Sequence, residues 1–132
     1  MLLTRATEYA LLSLDVIRKS DVPIGAEQLS NDLSIPKSFL AKILQSLAKK
    51  GILESRKGAH GGFSLAKDVD SISISEIIIA SEGKSPQVFD CTSYSSTCPN
   101  GAIGRCPISP FLMNFQNKID DFLDGLTLGD IL

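Results

Sequence analysis

Cys91, Cys98 and Cys106 are the residues best equipped for chemistry in this 132-residue chain. Three is an odd number, so a complete set of disulfides within one chain is impossible. Gaps of six and seven residues separate them, too wide for the Cys-x-x-Cys knuckle of a zinc ribbon. Such gaps suit a flexible loop wrapped around a larger object. Thiolate is the preferred ligand of iron–sulfur clusters, and the nearby glycines and serines would let backbone N–H groups approach the sulfides. Spacing alone leaves a second reading open, in which the three thiols are buried or idle.

Other chemistry is thin. His60 is the single histidine. No nucleophile–base pair is visible and no glycine-rich phosphate loop follows a strand, so a thiol oxidoreductase or hydrolase is not expected. The glycines around His60 do not match a dinucleotide fingerprint. The longest apolar run, Ile77 to Ala80, is far short of the ~20 residues that span a bilayer. The opening Met1 to Arg5 lacks the basic-then-apolar pattern of an export signal, and Glu8 follows early. These features predict a cytoplasmic protein, where disulfides are disfavoured.

Basic residues form the second chemical set. The net charge of −2 divides unevenly: residues 1–67 carry +4 and residues 68–132 carry −6. A basic front and an acidic rear suit a DNA-binding head on a solubilising body, although surface charge can also partition by chance. Lys37, Ser38, Lys42, Gln45, Ser46 and Lys49 fall on one side of a predicted helix, and Arg56, Lys57 and His60 surround a glycine-rich turn.

The elements that must position these residues follow from periodicity. Residues 4–19 read as a helix with Ala6, Tyr9, Ala10, Ser13, Leu14 and Ile17 on one face. A short helix is expected over 25–32, with Leu29 and Leu33 inward. A third begins at Pro36, with Phe39, Leu40, Ile43, Leu44 and Leu47 as its apolar stripe, and stops at Gly51. Ile52 to Arg56 and Phe63 to Leu65 are strand-like on either side of Lys57 to Gly62, which predicts a hairpin. Ser73 and Glu76 have capping-box spacing and open a fourth helix to about Ser81. Residues 83–105 lose periodicity. A longer helix runs from about Pro110 to Asp124. Leu112, Phe115, Ile119, Phe122 and Leu126, spaced 3, 4, 3 and 4, form an a/d seam there, and Thr127 to Leu132 is an apolar tail.

Three short helices and a two-stranded wing make a winged helix-turn-helix, so the fold is predicted as mainly α with a small β-hairpin. The expected organisation is a DNA-binding head over 1–82, a cysteine-bearing loop over 83–109, and a dimerisation helix with tail over 110–132. Helix 36–49 would read the major groove of double-stranded DNA through Lys37, Ser38, Phe39 and Lys42. Arg56, Lys57 and His60 would reach the backbone or minor groove. Leu112, Phe115, Ile119 and Phe122 would join two copies into a homodimer. A winged helix that binds another protein is the rival reading.

The chain resembles the IscR/NsrR/RirA family of bacterial iron–sulfur regulators over nearly its whole length. The matching residues include Leu3-Thr4-Arg5, Tyr9-Ala10, Ile35, Ser38-Phe39-Leu40, Ile43-Leu44 and Leu47. Gly51-Ile52-Leu53, Arg56-Lys57-Gly58 and Gly61 to Leu65 match in the wing, followed by Ile74, Glu76 to Ile78, Glu82-Gly83, the three cysteines and Leu126 to Leu128. The resemblance implies a homodimer through the C-terminal helix, a palindromic operator, and a cluster ligated by Cys91, Cys98 and Cys106. For the fourth ligand, one branch places a histidine where this chain has Ser109. Another uses an acidic residue of the first helix, given by the partner subunit, and Glu8 matches that position. The cysteine gaps exceed the family's commonest spacing, which leaves [2Fe–2S] and [4Fe–4S] both open. Ala41 stands where one branch has an acidic reader residue.

The leading functional reading is a repressor whose operator affinity follows cluster status, the signal being redox state, nitric oxide, iron or cluster supply. The alternative is a cluster-free regulator of the same fold whose cysteines oxidise or bind a partner.

Overall fold

The computed structural model describes residues 3–89 and 106–132. Helix α1 (Arg5–Arg18) starts where the Thr4 side chain accepts a hydrogen bond from the Ala6 N–H. It buries Thr7, Ala10, Ser13, Leu14 and Ile17, with Ala6 and Tyr9 partly buried beside them. Helices α2 (Ala26–Leu33) and α3 (Lys37–Lys49) form the helix-turn-helix. The turn between them holds Ser34 at φ +56°, a left-handed position that few side chains adopt. On α3, Leu40, Leu44 and Leu47 are fully shielded from solvent and Ile43 nearly so. Each such leucine contributes roughly 1.5–3 kcal/mol by leaving water. Phe39 does not join them, contrary to its place in the expected stripe. It sits one residue, about 100°, around the helix from Leu40. It is 44% exposed, and its ring meets Tyr9 edge-on at a centroid distance of 5.6 Å.

Strands β1 (Leu53–Arg56) and β2 (Gly62–Leu65) pair antiparallel, Leu53 opposite Leu65 and Arg56 opposite Gly62, giving the expected wing. Gly62 is required there. Its φ is +138°, and a Cβ would lie 2.6 Å from the backbone carbon of Ile24, where Ile24 and Phe63 bridge to attach the wing to the start of α2. A short 3-10 turn (Val69–Ser71) leads into α4 (Ile74–Glu82), which opens with the Ser73–Glu76 capping box and ends on Gly83 in the left-handed region.

Helix α5 (Ser109–Gly125) buries Leu112, Gln116 and Leu123. The Gln116 carboxamide accepts from the Val88 N–H at 2.9 Å and donates to the Pro86 carbonyl at 2.9 Å. Beyond α5 the expected tail is a short helix, α6 (Leu128–Ile131), with its own capping box between Thr127 and Asp130. The Ile74 N–H donates to the Leu126 carbonyl and the Leu128 N–H to the Ile72 carbonyl, both at 2.8 Å, so residues 126–128 are stitched to residues 72–74. Leu128 lies fully buried in the same core as α1, α3 and α4. Among the described residues no helix is long and apolar enough to cross a membrane.

Candidate nucleic-acid interface and cysteine segment

With its apolar side committed to the core, α3 presents Lys37, Ser38, Phe39, Lys42, Gln45 and Lys49 to solvent. Arg56, Lys57 and His60 are exposed on the wing, and β1 packs against α3. Ion pairing sharpens the picture. In the described head, Arg5 pairs with Glu8, Arg18 and Lys19 with Asp15, Lys37 with Glu27 and Lys67 with Glu76. The cations of residues 3–82 with no acidic partner among the described residues are Lys42, Lys49, Lys50, Arg56 and Lys57, all on or beside α3 and the hairpin. Lys37 lies 3.7 Å from Glu27 with both side chains largely exposed, a pair worth under about 1 kcal/mol that phosphate can displace. Nearly all the uncompensated positive charge of the head thus lies where a recognition helix and wing would meet a phosphate backbone.

The expected ligand set is only partly within view. Cys91 and Cys98 lie outside the described residues. Cys106 is a partly exposed free thiol, and its carbonyl accepts from the Ser109 N–H at the start of α5. Glu8 is half-exposed, in the first turn of α1, 3.0 Å from Arg5. It lines a shallow cavity with Leu3, Thr4, Arg5, Thr7 and Leu11. Among the described residues, no three histidine, cysteine, aspartate or glutamate side chains converge on a metal site. Three thiols and a solvent-accessible carboxylate fit an iron–sulfur cluster by donor chemistry.

The sequence places Glu82 in the family match but assigns it no role. Its Oε1 accepts from the Thr4 N–H at 3.1 Å, from the Thr4 hydroxyl, and from the Thr7 hydroxyl at 2.7 Å. Thr7, fully buried, also lies 2.9 Å from the Ser81 hydroxyl. This cluster locks the first turn of α1, which bears Glu8, to the last turn of α4, which precedes the cysteine segment. Burial raises the Glu82 carboxyl, but the bonds from Thr4 and Thr7 outweigh it and leave the group below its ordinary value. One signal was available: an acid in the last turn of a helix opposes the helix dipole, and so calls for a partner elsewhere.

The predicted dimer seam divides. Leu112 is buried and Ile119 packs against this chain's own core. Phe115 and Phe122 face outward, 37% and 62% exposed, and Phe111 joins them at 63%. Phe111 and Phe115 stack with centroids 6.1 Å apart, and Phe89 lies 6.0 Å from Phe115. The turn-by-turn angle explains the split: residues 112, 116, 119 and 123 share one face, and 111, 115 and 122 lie roughly 90° to its side.

Comparison with known proteins agrees with this architecture. The chain is 30% identical over its full length to the HTH-type transcriptional repressor NsrR of Streptomyces coelicolor, covering 88% of that protein. It is 30% identical, again over its full length, to the HTH-type transcriptional regulator IscR of Vibrio campbellii, covering 77% of it. The structure of CymR, the global cysteine regulator of B. subtilis, superposes with a TM-score of 0.72 over 99% of this chain and 95% of the other, at 18% identity, which speaks to the fold alone. These are transcription regulators and not enzymes. The family model described as Rrf2, iron-dependent transcriptional regulator, matches residues 3–132, and the chain therefore belongs to the Rrf2 family of winged-helix, DNA-binding transcription regulators.

Proposed function

We propose that the protein is a homodimeric repressor whose affinity for a palindromic operator follows the state of an iron–sulfur cluster held by Cys91, Cys98 and Cys106, with Glu8 of the second subunit as fourth ligand. The single observation that carries this reading is the match of nearly the whole chain to an iron-dependent regulator family, in a chain that supplies three cysteines. The relative named as a repressor supports the direction of control. The exposed stripe of Phe111, Phe115 and Phe122 supports the homodimer, since such a patch on a monomer is an aggregation liability. A two-fold dimer would set two α3 helices about 34 Å apart, one turn of DNA. In this reading residues 1–82 are the head, residues 83–109 the sensor, and residues 110–132 the dimer helix and tail.

A cluster would supply a reactive centre for the signal. The protein's own residues hold and read it. Three thiolates make a firm grip, and the Glu8 carboxylate is a harder, weaker donor that leaves one labile position. Engaging Glu8 would act on the first turn of α1, where the Thr4–Thr7–Glu82 cluster and the Tyr9–Phe39 contact connect it to α4 and to the reader helix.

The test is anaerobic reconstitution with iron and sulfide quantified, alongside sedimentation. Wild type should be coloured and dimeric. Cys91→Ala, Cys98→Ala or Cys106→Ala should lose the chromophore, Glu8→Ala should change its spectrum or hasten its decay, and Phe122→Asp should give monomers. A triple cysteine variant that still takes up iron and sulfide stoichiometrically would defeat the sensing proposal. A colourless wild type that binds DNA in a thiol-oxidation-dependent way would instead establish the cluster-free alternative.

A further inference from the structure

Ser38, Lys42, Gln45 and Lys49 follow one another at intervals of 4, 3 and 4 residues along α3, on the side opposite Leu40, Leu44 and Leu47, and all four are exposed. They form the line that a groove would meet first. Ala41 and Ala48 flank this line with single methyl groups, so the helix can seat deeply on that side. Lysine offers a rotatable point charge, suited to phosphate or to a guanine edge. Gln45 is different in kind. Its carboxamide is planar, with an acceptor oxygen and donor nitrogen fixed side by side, and it makes no hydrogen bond to any described residue. Adenine shows the complementary pair in the major groove, an N7 acceptor beside an N6 donor. From Ser38 to Gln45 the helix rises about 10 Å, roughly three base-pair steps, so Gln45 lies one step beyond Lys42 and within a reader helix's reach.

We infer that Gln45 is a specificity-determining residue whose carboxamide reads an adenine through N6 and N7 in the major groove. The inference rests on the DNA-binding reading of this family and adds the base that a named side chain selects. Because the amide carries no charge, it contributes sequence preference without adding to the salt dependence.

The experiment is selection of binding sites from a random duplex library by wild type, Gln45→Ala and Gln45→Glu, followed by salt titrations on the wild-type consensus. Wild type should enrich an A·T pair at one position of each half-site. Gln45→Ala should lose preference at that position alone, bind the consensus about tenfold more weakly, and keep the same salt slope. Gln45→Glu should shift the preference toward cytosine, whose N4 donates to a carboxylate. Replacing the adenine with 7-deazaadenine should weaken wild type and leave Gln45→Ala indifferent. An unchanged consensus for Gln45→Ala, or an affinity loss equal on all sequences, overturns the inference while leaving DNA binding intact. If wild type enriches no sequence, the DNA-reading role itself fails and Gln45 falls with it.

Discussion

Helices α3 and α5 are both amphipathic, yet they dispose of their apolar residues differently. Helix α3 places Leu40, Ile43, Leu44 and Leu47 in the core of its own chain and turns amides and ammonium groups outward. Helix α5 buries Leu112 and Leu123 and leaves Phe111, Phe115 and Phe122 in the open. The first helix is finished by its own chain and ready for a polar, charged partner. The second is half finished, and its outer face calls for an apolar one. A helix's periodicity announces that a face will be covered; it does not announce by what.

The largest effect that would sharpen this contrast is Leu44→Ala. Leu44 is fully buried, and truncation there should destabilise the fold by about 2–5 kcal/mol, read as a lowered urea midpoint. Phe122→Ala on α5 should move that midpoint far less at concentrations where the protein is monomeric. Equal losses for both would mean that α5 is as much a part of the single-chain core as α3.

A smaller effect is expected at the seam between α1 and α4. Glu82→Ala leaves the Thr4 and Thr7 donors without their shared acceptor, and should lower stability at neutral pH by about 1–3 kcal/mol. The Glu82 value in the fold lies below its ordinary 4.5. Its contribution is therefore complete above that pH and is lost as acid protonates the carboxylate. The gap in denaturant midpoint between wild type and Glu82→Ala should narrow as the pH falls below 4.5, because protonation removes the charge that strengthens the bonds from Thr4 and Thr7. A gap that stays constant with pH would assign the loss to packing instead.

The smallest effect is on the wing. Arg56→Ala with Lys57→Ala should leave the fold untouched, because both side chains are exposed and have no ion-pair partner among the described residues. The slope of log affinity against log salt should fall by roughly 0.9 for each phosphate that the wing no longer neutralises. If slope and affinity both hold, the wing plays no part in binding and α3 alone carries the interface.

Much of the head was legible because its determinants are local. Pro36, the 3–4 spacing of leucines, the Ser73–Glu76 box and the glycines around His60 each specify a nearby backbone shape. Phe39 was misplaced because it borders the apolar arc, where spacing does not fix burial; in the fold its ring meets Tyr9 of α1. The Glu82 cluster, the burial of Gln116 and helix α6 were invisible for a different reason. Each depends on a partner far along the chain: Thr4 and Thr7 for Glu82, Pro86 and Val88 for Gln116, residues 72–74 for the tail. Spacing patterns encode faces, and such pairings exist only once the faces have met. The expected dimer seam shows both sides of this, since its heptad spacing was real while its residues divide between two surfaces.

The stitch between residues 72–74 and 126–128 has a kinetic meaning. The two segments are about fifty residues apart in sequence, so joining them closes a long loop before the pairing can repay its entropy. Helices α1 to α3 can form and collide early through short-range contacts. The place in the core filled by Leu128 waits for this slower, long-range closure. Docking of the tail should therefore be a late step of assembly, and it is the step that ties residues 72–74 to residues 126–128.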